Sequence, residues 1–112
     1  LADGARYRFG QWLADGRTLV AVSDADGEER IELHRDDGVV AMPWGPESLG
    51  RVVALVAAPR GDRVAICNHR NQLWLGDTAS GALTLADQGD AGRLDDPAWS
   101  PCGGWLAYAA WT

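Results

Sequence analysis

Apolar residues along this chain come in short runs with a period near two, and glycine or proline interrupts them at close intervals. The clearest stretch lies in the middle. Val52 to Ala58 is a continuous apolar run, the pattern of a strand buried on both faces. Arg60-Gly61-Asp62 supplies a tight turn, and Arg63 to Cys67 reads as the next strand. After the polar loop Asn68-His69-Arg70-Asn71, Gln72 to Thr78 alternates around Leu73 and Leu75. Ala79-Ser80-Gly81 then turns the chain into Ala82 to Ala86. The pattern predicts four strands, a to d, and no helix.

This unit recurs. Trp12 to Ala21, Ala57 to Ile66 and Trp99 to Tyr108 align around a glycine turn, with starts 45 and then 42 residues apart. A second marker keeps the same ruler, because Gly38 and Gly81 close equivalent segments 43 residues apart. Four short antiparallel strands in a repeat of about 40–45 residues are the signature of a β-propeller blade. The predicted fold is all-β: a partial β-propeller of two and a half four-stranded antiparallel blades. One blade spans 5–47 and a second 50–90, while 92–112 supplies strands a and b of a third. A small β-sandwich is the competing architecture, but it does not repeat a glycine turn on a fixed ruler.

Composition narrows the functional classes. The net charge is −6, and the ten cationic side chains, all Arg, are scattered. No basic stripe exists to track a phosphate backbone, so a nucleic-acid partner is not expected. No apolar run approaches the roughly 20 residues that span a bilayer, so no membrane partner is expected either. The first residues, Leu1-Ala2-Asp3-Gly4, lack a starting Met and a signal-peptide pattern, which suggests a piece of a longer protein. Cys67 sits in a strand pattern and Cys102 in a turn, with no disulfide framework. Two cysteines and the isolated His34 and His69 are too few for a zinc site, and no cofactor is expected.

Catalytic residues are not evident. Ser23, Ser48, Ser80 and Ser100 each fit a turn or strand end, and none lies in a G-x-S-x-G elbow. Asp24 to Glu29 superficially suggests a calcium loop but lacks the full ligand spacing, and reads as a hairpin with Asp26-Gly27 at its tip. Asp36-Asp37-Gly38 and Asp95-Asp96 read as solvated turns. Trp12 and Trp99 hold equivalent repeat positions, so packing between blades is expected of them, and also of Trp74, Trp105 and Trp111 in strands. Trp44 differs, because Pro43 to Gly50 is a loop between blades where an aromatic ring is available to a partner. Strand alternation puts the d–a and b–c loops on one face, which collects Asp24–Glu28, Pro43–Gly50, Asn68–Asn71 and Gln88–Asp95. Loops on a rigid scaffold carry function. Trp44, Asn68, His69, Arg70 and Asn71 are therefore the candidate binding residues, lining a passage or interdomain surface; the alternative for the last four is ordinary turn chemistry.

Trp99 to Tyr108 is similar to the W-S-P-D-G-x-x-L-A-Y signature of TolB-like and tricorn-like propellers, with Cys102 in place of the Asp. Gln72 to Leu75, followed by Ser80-Gly81, resembles their third strand and turn. Two longer strings, Val20–His34 and Asp62–Leu75, look like the propeller region of tricorn proteases. That resemblance implies a large cytoplasmic serine peptidase with two N-terminal propellers and a peptidase region containing a PDZ domain. In such proteins the propellers are non-catalytic and guide or filter peptides to or from the active site, so no catalytic residue is expected here. The expected partners are the remaining blades and peptidase domains of the parent chain, and peptide substrates. A periplasmic TolB-like protein-interaction module and the propeller cap of a prolyl-oligopeptidase-type hydrolase are the alternatives. A partial ring leaves apolar flanks uncovered, so the isolated chain is expected either to self-associate or to be stable only inside the full protein.

Overall fold

The computed structural model describes residues 7–23, 29–44, 49–89, 92 and 94–110. All ten described elements are strands: β1 (Tyr7–Trp12), β2 (Leu19–Ser23), β3 (Arg30–Arg35), β4 (Gly38–Ala41), β5 (Val52–Ala57), β6 (Arg63–Asn68), β7 (Gln72–Asp77), β8 (Leu83–Gln88), β9 (Leu94–Trp99) and β10 (Leu106–Ala110). They form two four-stranded antiparallel meanders, β1-β2-β3-β4 and β5-β6-β7-β8, and a two-stranded sheet, β9-β10. The first strands of successive sheets are neighbours, since β5 touches both β1 and β9. This is the radial order of a propeller: two and a half blades of an open ring.

The repeat is visible in the backbone as well as in the letters. Leu13, Ala58 and Ser100 each donate their N–H across the a–b turn, to the carbonyls of Thr18, Arg63 and Trp105. Gly16, Gly61 and Gly103 sit at the same point of these turns with φ of 69°, 77° and 76°. Only glycine adopts that region without a steric penalty, which explains the recurring glycine. Each first strand also carries an extra residue against its partner: between Tyr7 and Gly10, between Val52 and Ala54, and between Asp95 and Ala98. A bulge of this kind re-aims side chains. In β5 it lets Val52 and Leu55 both face blade one while Ala54 faces blade three, and Val53 is left 42% exposed. The Val52–Ala58 run is thus buried on both faces except at the bulge. In β9 the irregular segment holds Asp96, at φ 52°, and Pro97, which has no N–H to give a ladder.

Two clusters hold the blades together. Between blades one and two, Val20, Val22, Ile31 and Leu33 meet Leu55, Val64 and Ile66, with Trp44 and Leu49 closing the seam. Between blades two and three, Ala65, Cys67 and Leu73 meet Leu94, with Trp99 and Leu106 packed alongside. Each fully buried Val, Leu or Ile adds about 1.5–3 kcal/mol of transfer free energy, so covered faces dominate stability. Trp99 adds direction to the second seam. Its Nε1–H donates to Val56 O at 3.0 Å. Arg63 lies 5.0 Å from the ring centroid and donates onward to Gly103 O at 2.7 Å. Trp12, its equivalent in blade one, is 63% exposed, and Trp105 is 78% exposed. The expectation that these two pack between blades is corrected: no described blade lies on the flank each one faces. Trp111 lies outside the described residues.

Two outcomes test this account. Trp99→Phe keeps most of the ring and removes the donor to Val56 O, and is expected to cost about 1 kcal/mol in urea denaturation. At the third turn, Sγ of Cys102 takes the place of the Asp15 carboxylate. Asp15 Oδ1 accepts from Arg17 N at 2.8 Å and Thr18 N at 2.9 Å, whereas Cys102 Sγ accepts from Gly104 N at 3.4 Å. Cys102→Asp is expected to raise the thermal midpoint by a few degrees, because a carboxylate is the stronger acceptor.

Candidate functional site

The b–c end of blade two is organised by Asn68, which is 1% exposed and fully paired. Its Nδ2 donates to Leu49 O at 2.7 Å and Gln72 Oε1 at 2.9 Å. Its Oδ1 accepts from Arg70 N and Gln72 N, both at 3.1 Å. Asn68 therefore builds the β6–β7 turn and ties it to the chain entering blade two. Asn71 completes the turn at φ 61°, a conformation Asn tolerates, and its carbonyl accepts Gly89 N–H at 2.7 Å.

His69 and Arg70 stand on that platform, and both are exposed. His69 N donates to Arg51 O at 2.9 Å, and Arg51 N donates back to His69 Nδ1 at 2.9 Å. With Nδ1 held as an acceptor, the neutral ring carries its proton on Nε2 and presents a donor outward. Gly50, at φ 60°, lies between the two side chains. A Cβ there would run into His69 Cε1 and lie 3.2 Å from Arg70 Nε. The rim continues into blade one, where Glu29 Oε1 accepts Val52 N at 2.9 Å. His69 and Arg70 thus stand exposed over the single buried amide of Asn68.

Sequence reasoning missed Gln72 and Gln88. Gln72 Nε2 donates to Gln88 Oε1 at 3.0 Å, Trp74 Nε1 donates to Gln72 Oε1 at 3.0 Å, and Gln88 Nε2 donates to Arg70 O at 3.1 Å. Their signal was position alone, since both flank the face-one loops at strand ends.

The structure places Trp44 differently from its expected exposure. Its ring is 2% exposed, and Nε1 donates to Gly81 O at 2.9 Å in the β7–β8 turn. The ring lies over Gly76, where a Cβ would be 2.5 Å from Cη2. Trp44 is thus a fastener between blades, with no ring face left for a partner, and it does not join the His69–Arg70 rim. The exposed-aromatic reading failed because a loop in sequence became a seam in space. The Asp24–Glu28 loop, Ser48, Gly45–Glu47 and residues 90, 91 and 93 lie outside the described residues.

No nucleophile accompanies the rim among the described residues. Ser80 Oγ accepts Ala82 N at 3.2 Å and Ser100 Oγ accepts Trp105 N at 3.1 Å, both within turns. His34 Nε2 lies 3.2 Å from Glu32 Oε1 on β3. The rim can hold a carbonyl or carboxylate by hydrogen bonding, without bond making of its own. Gly50→Ala is expected to cost about 1–3 kcal/mol, from the strained φ and the displaced ring. Chemical denaturation reads that loss, and the ¹⁵N shift of His69 Nδ1 reports whether its bond to Arg51 N–H breaks.

No family model matches the chain. It is 32% identical to tricorn protease homolog 1 of Streptomyces coelicolor over 95% of its length, covering 10% of that protein. It is 33% identical to tricorn protease homolog 2 of the same organism, over 82% of the chain and 9% of that protein. It is also 29% identical to a protein of Sulfurisphaera tokodaii described as a tricorn-like protease C-terminal subunit, over 95% of the chain and 12% of that protein. The chain thus spans about a tenth of the length of the curated relatives it matches.

Proposed function

We propose that this chain, tricorn-like in sequence over nearly its whole length, is a non-catalytic β-propeller segment of a tricorn-like serine peptidase and guides or filters peptides moving to or from the active site. The observation that carries the reading is the pairing of that similarity with two exposed side chains of donor type on a braced turn. His69 and Arg70 are exposed, while Asn68 beneath them is buried and fully bonded. An extended peptide offers carbonyls along its length and a carboxylate at its end, and both accept from an imidazole N–H or a guanidinium. Blade neighbours, peptidase domains and peptides are the partners this reading assigns, in the cytoplasm.

The test is made in the tricorn-like peptidase that carries this stretch. His69→Asn keeps an acceptor for Arg51 N–H and removes the outward imidazole donor, while Arg70→Ala removes the cation. The double variant is expected to lower kcat/KM several-fold on long unfolded polypeptides and to leave cleavage of a short fluorogenic peptide unchanged. Equal turnover of the long substrate by variant and wild type would defeat the proposal.

A further inference from the structure

The outer edge of blade one is a strand that its own sequence leaves bare. Each four-stranded meander runs from a first strand at the centre of the ring to a fourth at its circumference, because the first strands are the ones that touch across blades. Further blades stack on sheet faces, so the free edge of a fourth strand stays open however many blades complete the ring. The two fourth strands meet that exposure differently. β8 has an irregular register opposite Leu73 and Trp74, and its Asp87 accepts from the Tyr108 hydroxyl of blade three at 2.6 Å. It ends in Gln88, whose Nε2 donates back to Arg70 O at 3.1 Å. Bulges and charged side chains are what blunt an edge against strand addition. β4 has neither. It reads Gly-Val-Val-Ala, its register against β3 is unbroken, and all four residues are exposed, Val39 at 53% and Val40 at 49%.

The ladder fixes which groups β4 offers. Met42 N donates to Ile31 O at 2.8 Å, and bonded and non-bonded pairs alternate along antiparallel strands. Val40 therefore gives its N–H and C=O to Leu33, while Val39 and Ala41 turn theirs away from β3. No described strand pairs with that side. The edge thus presents two donors and two acceptors at the spacing of one extended chain, with Val40 on the face of Leu33 and Val39 on the face of His34. At its start stand Asp36 and Asp37, both exposed, and among the described residues neither carboxylate has a partner. The neighbouring cation is committed elsewhere, since Arg35 Nε donates to Thr18 Oγ1 at 3.4 Å, beside the Asp15 carboxylate.

We propose that β4 takes up an extended segment of a cationic polypeptide as a fifth, antiparallel strand of blade one. Val39 and Ala41 supply the main-chain hydrogen bonds, and β-branched side chains of the segment lie beside Val39 and Val40. Antiparallel pairing brings the C-terminal end of the segment to the Asp36–Asp37 turn, where a Lys or Arg meets the two carboxylates. A second copy of the chain fits less well. β4 paired on itself carries Ala41, Met42 and Pro43 to that turn, with no cation among them. The proposal is independent of the His69–Arg70 reading, because it uses another blade and another edge.

The test is made on the tricorn-like peptidase that carries this stretch, with its nucleophile blocked by an organophosphate. The probe is a dye-labelled, amidated peptide, Thr-Val-Thr-Val-Thr-Lys-Lys, read by fluorescence anisotropy. Wild type is expected to bind it, and to bind a probe ending Glu-Glu about tenfold more weakly. Ala41→Pro removes one outward N–H and leaves the β3–β4 ladder whole, and is expected to weaken binding about fivefold. The charge-reversed double variant, Asp36→Lys with Asp37→Lys, is expected to prefer the Glu-Glu probe, an inversion that a loss of folding does not produce. Circular dichroism checks both variants, and the charge reversal decides alone if Ala41→Pro unfolds. A wild type that binds neither probe, a folded Ala41→Pro variant that binds as wild type does, or a preference that stays with the Lys-Lys probe after charge reversal would each overturn the proposal.

Discussion

Strand β6 is buried on both of its faces, and most of the structure follows from that constraint. Val64 and Ile66 look toward blade one, Ala65 and Cys67 toward blade three, and all four are fully buried. A single sheet cannot cover itself on two sides, so each blade depends on its neighbours for the apolar burial that stabilises it. The seams do more than exclude water. At each one an indole N–H donates to a backbone carbonyl of blade two, Trp44 to Gly81 and Trp99 to Val56. A buried polar group without a partner costs free energy, and these bonds set the register in which one blade can meet the next.

The same constraint explains why function collects at the loop ends. The faces of the inner strands are consumed by packing, which leaves the loops and the edge strands, the exposed β4 and β8 among them, to meet anything else. At the b–c end of blade two, the buried amide of Asn68 holds the loop while His69 and Arg70 are exposed. Stiff support beneath exposed donors keeps their ordering cost low when a ligand arrives. The bulge at the start of β5 serves this end too, since it turns Val53 out of the sheet and brings Arg51 N–H to the His69 ring.

An open ring is asymmetric. Among the described residues no blade covers its two outer flanks, where Trp12 and Trp105 are exposed.

Strand number, the meander order within each blade and the recurring glycine turns were legible in the letters. They depend on local physics: period-two burial, and a positive φ that only glycine takes cheaply at residues 16, 61 and 103. The polar β6–β7 turn was legible for the same reason. The separate fates of chemically identical residues were not. Six tryptophans look alike in a sequence, yet Trp44 is sealed over Gly76, Trp99 is shared between two blades, and Trp12 and Trp105 face outward. Asn68 and His69 are adjacent, but one is a buried brace and the other a surface donor. Burial of a side chain depends on what lies across from it, and that is set by contacts between residues some forty positions apart, as Trp44 with Gly81 and Trp99 with Val56 demonstrate. Local pattern determined the strands and turns; only the stacking of one blade on another decided which of their side chains became seam, which became rim and which were left as open flank.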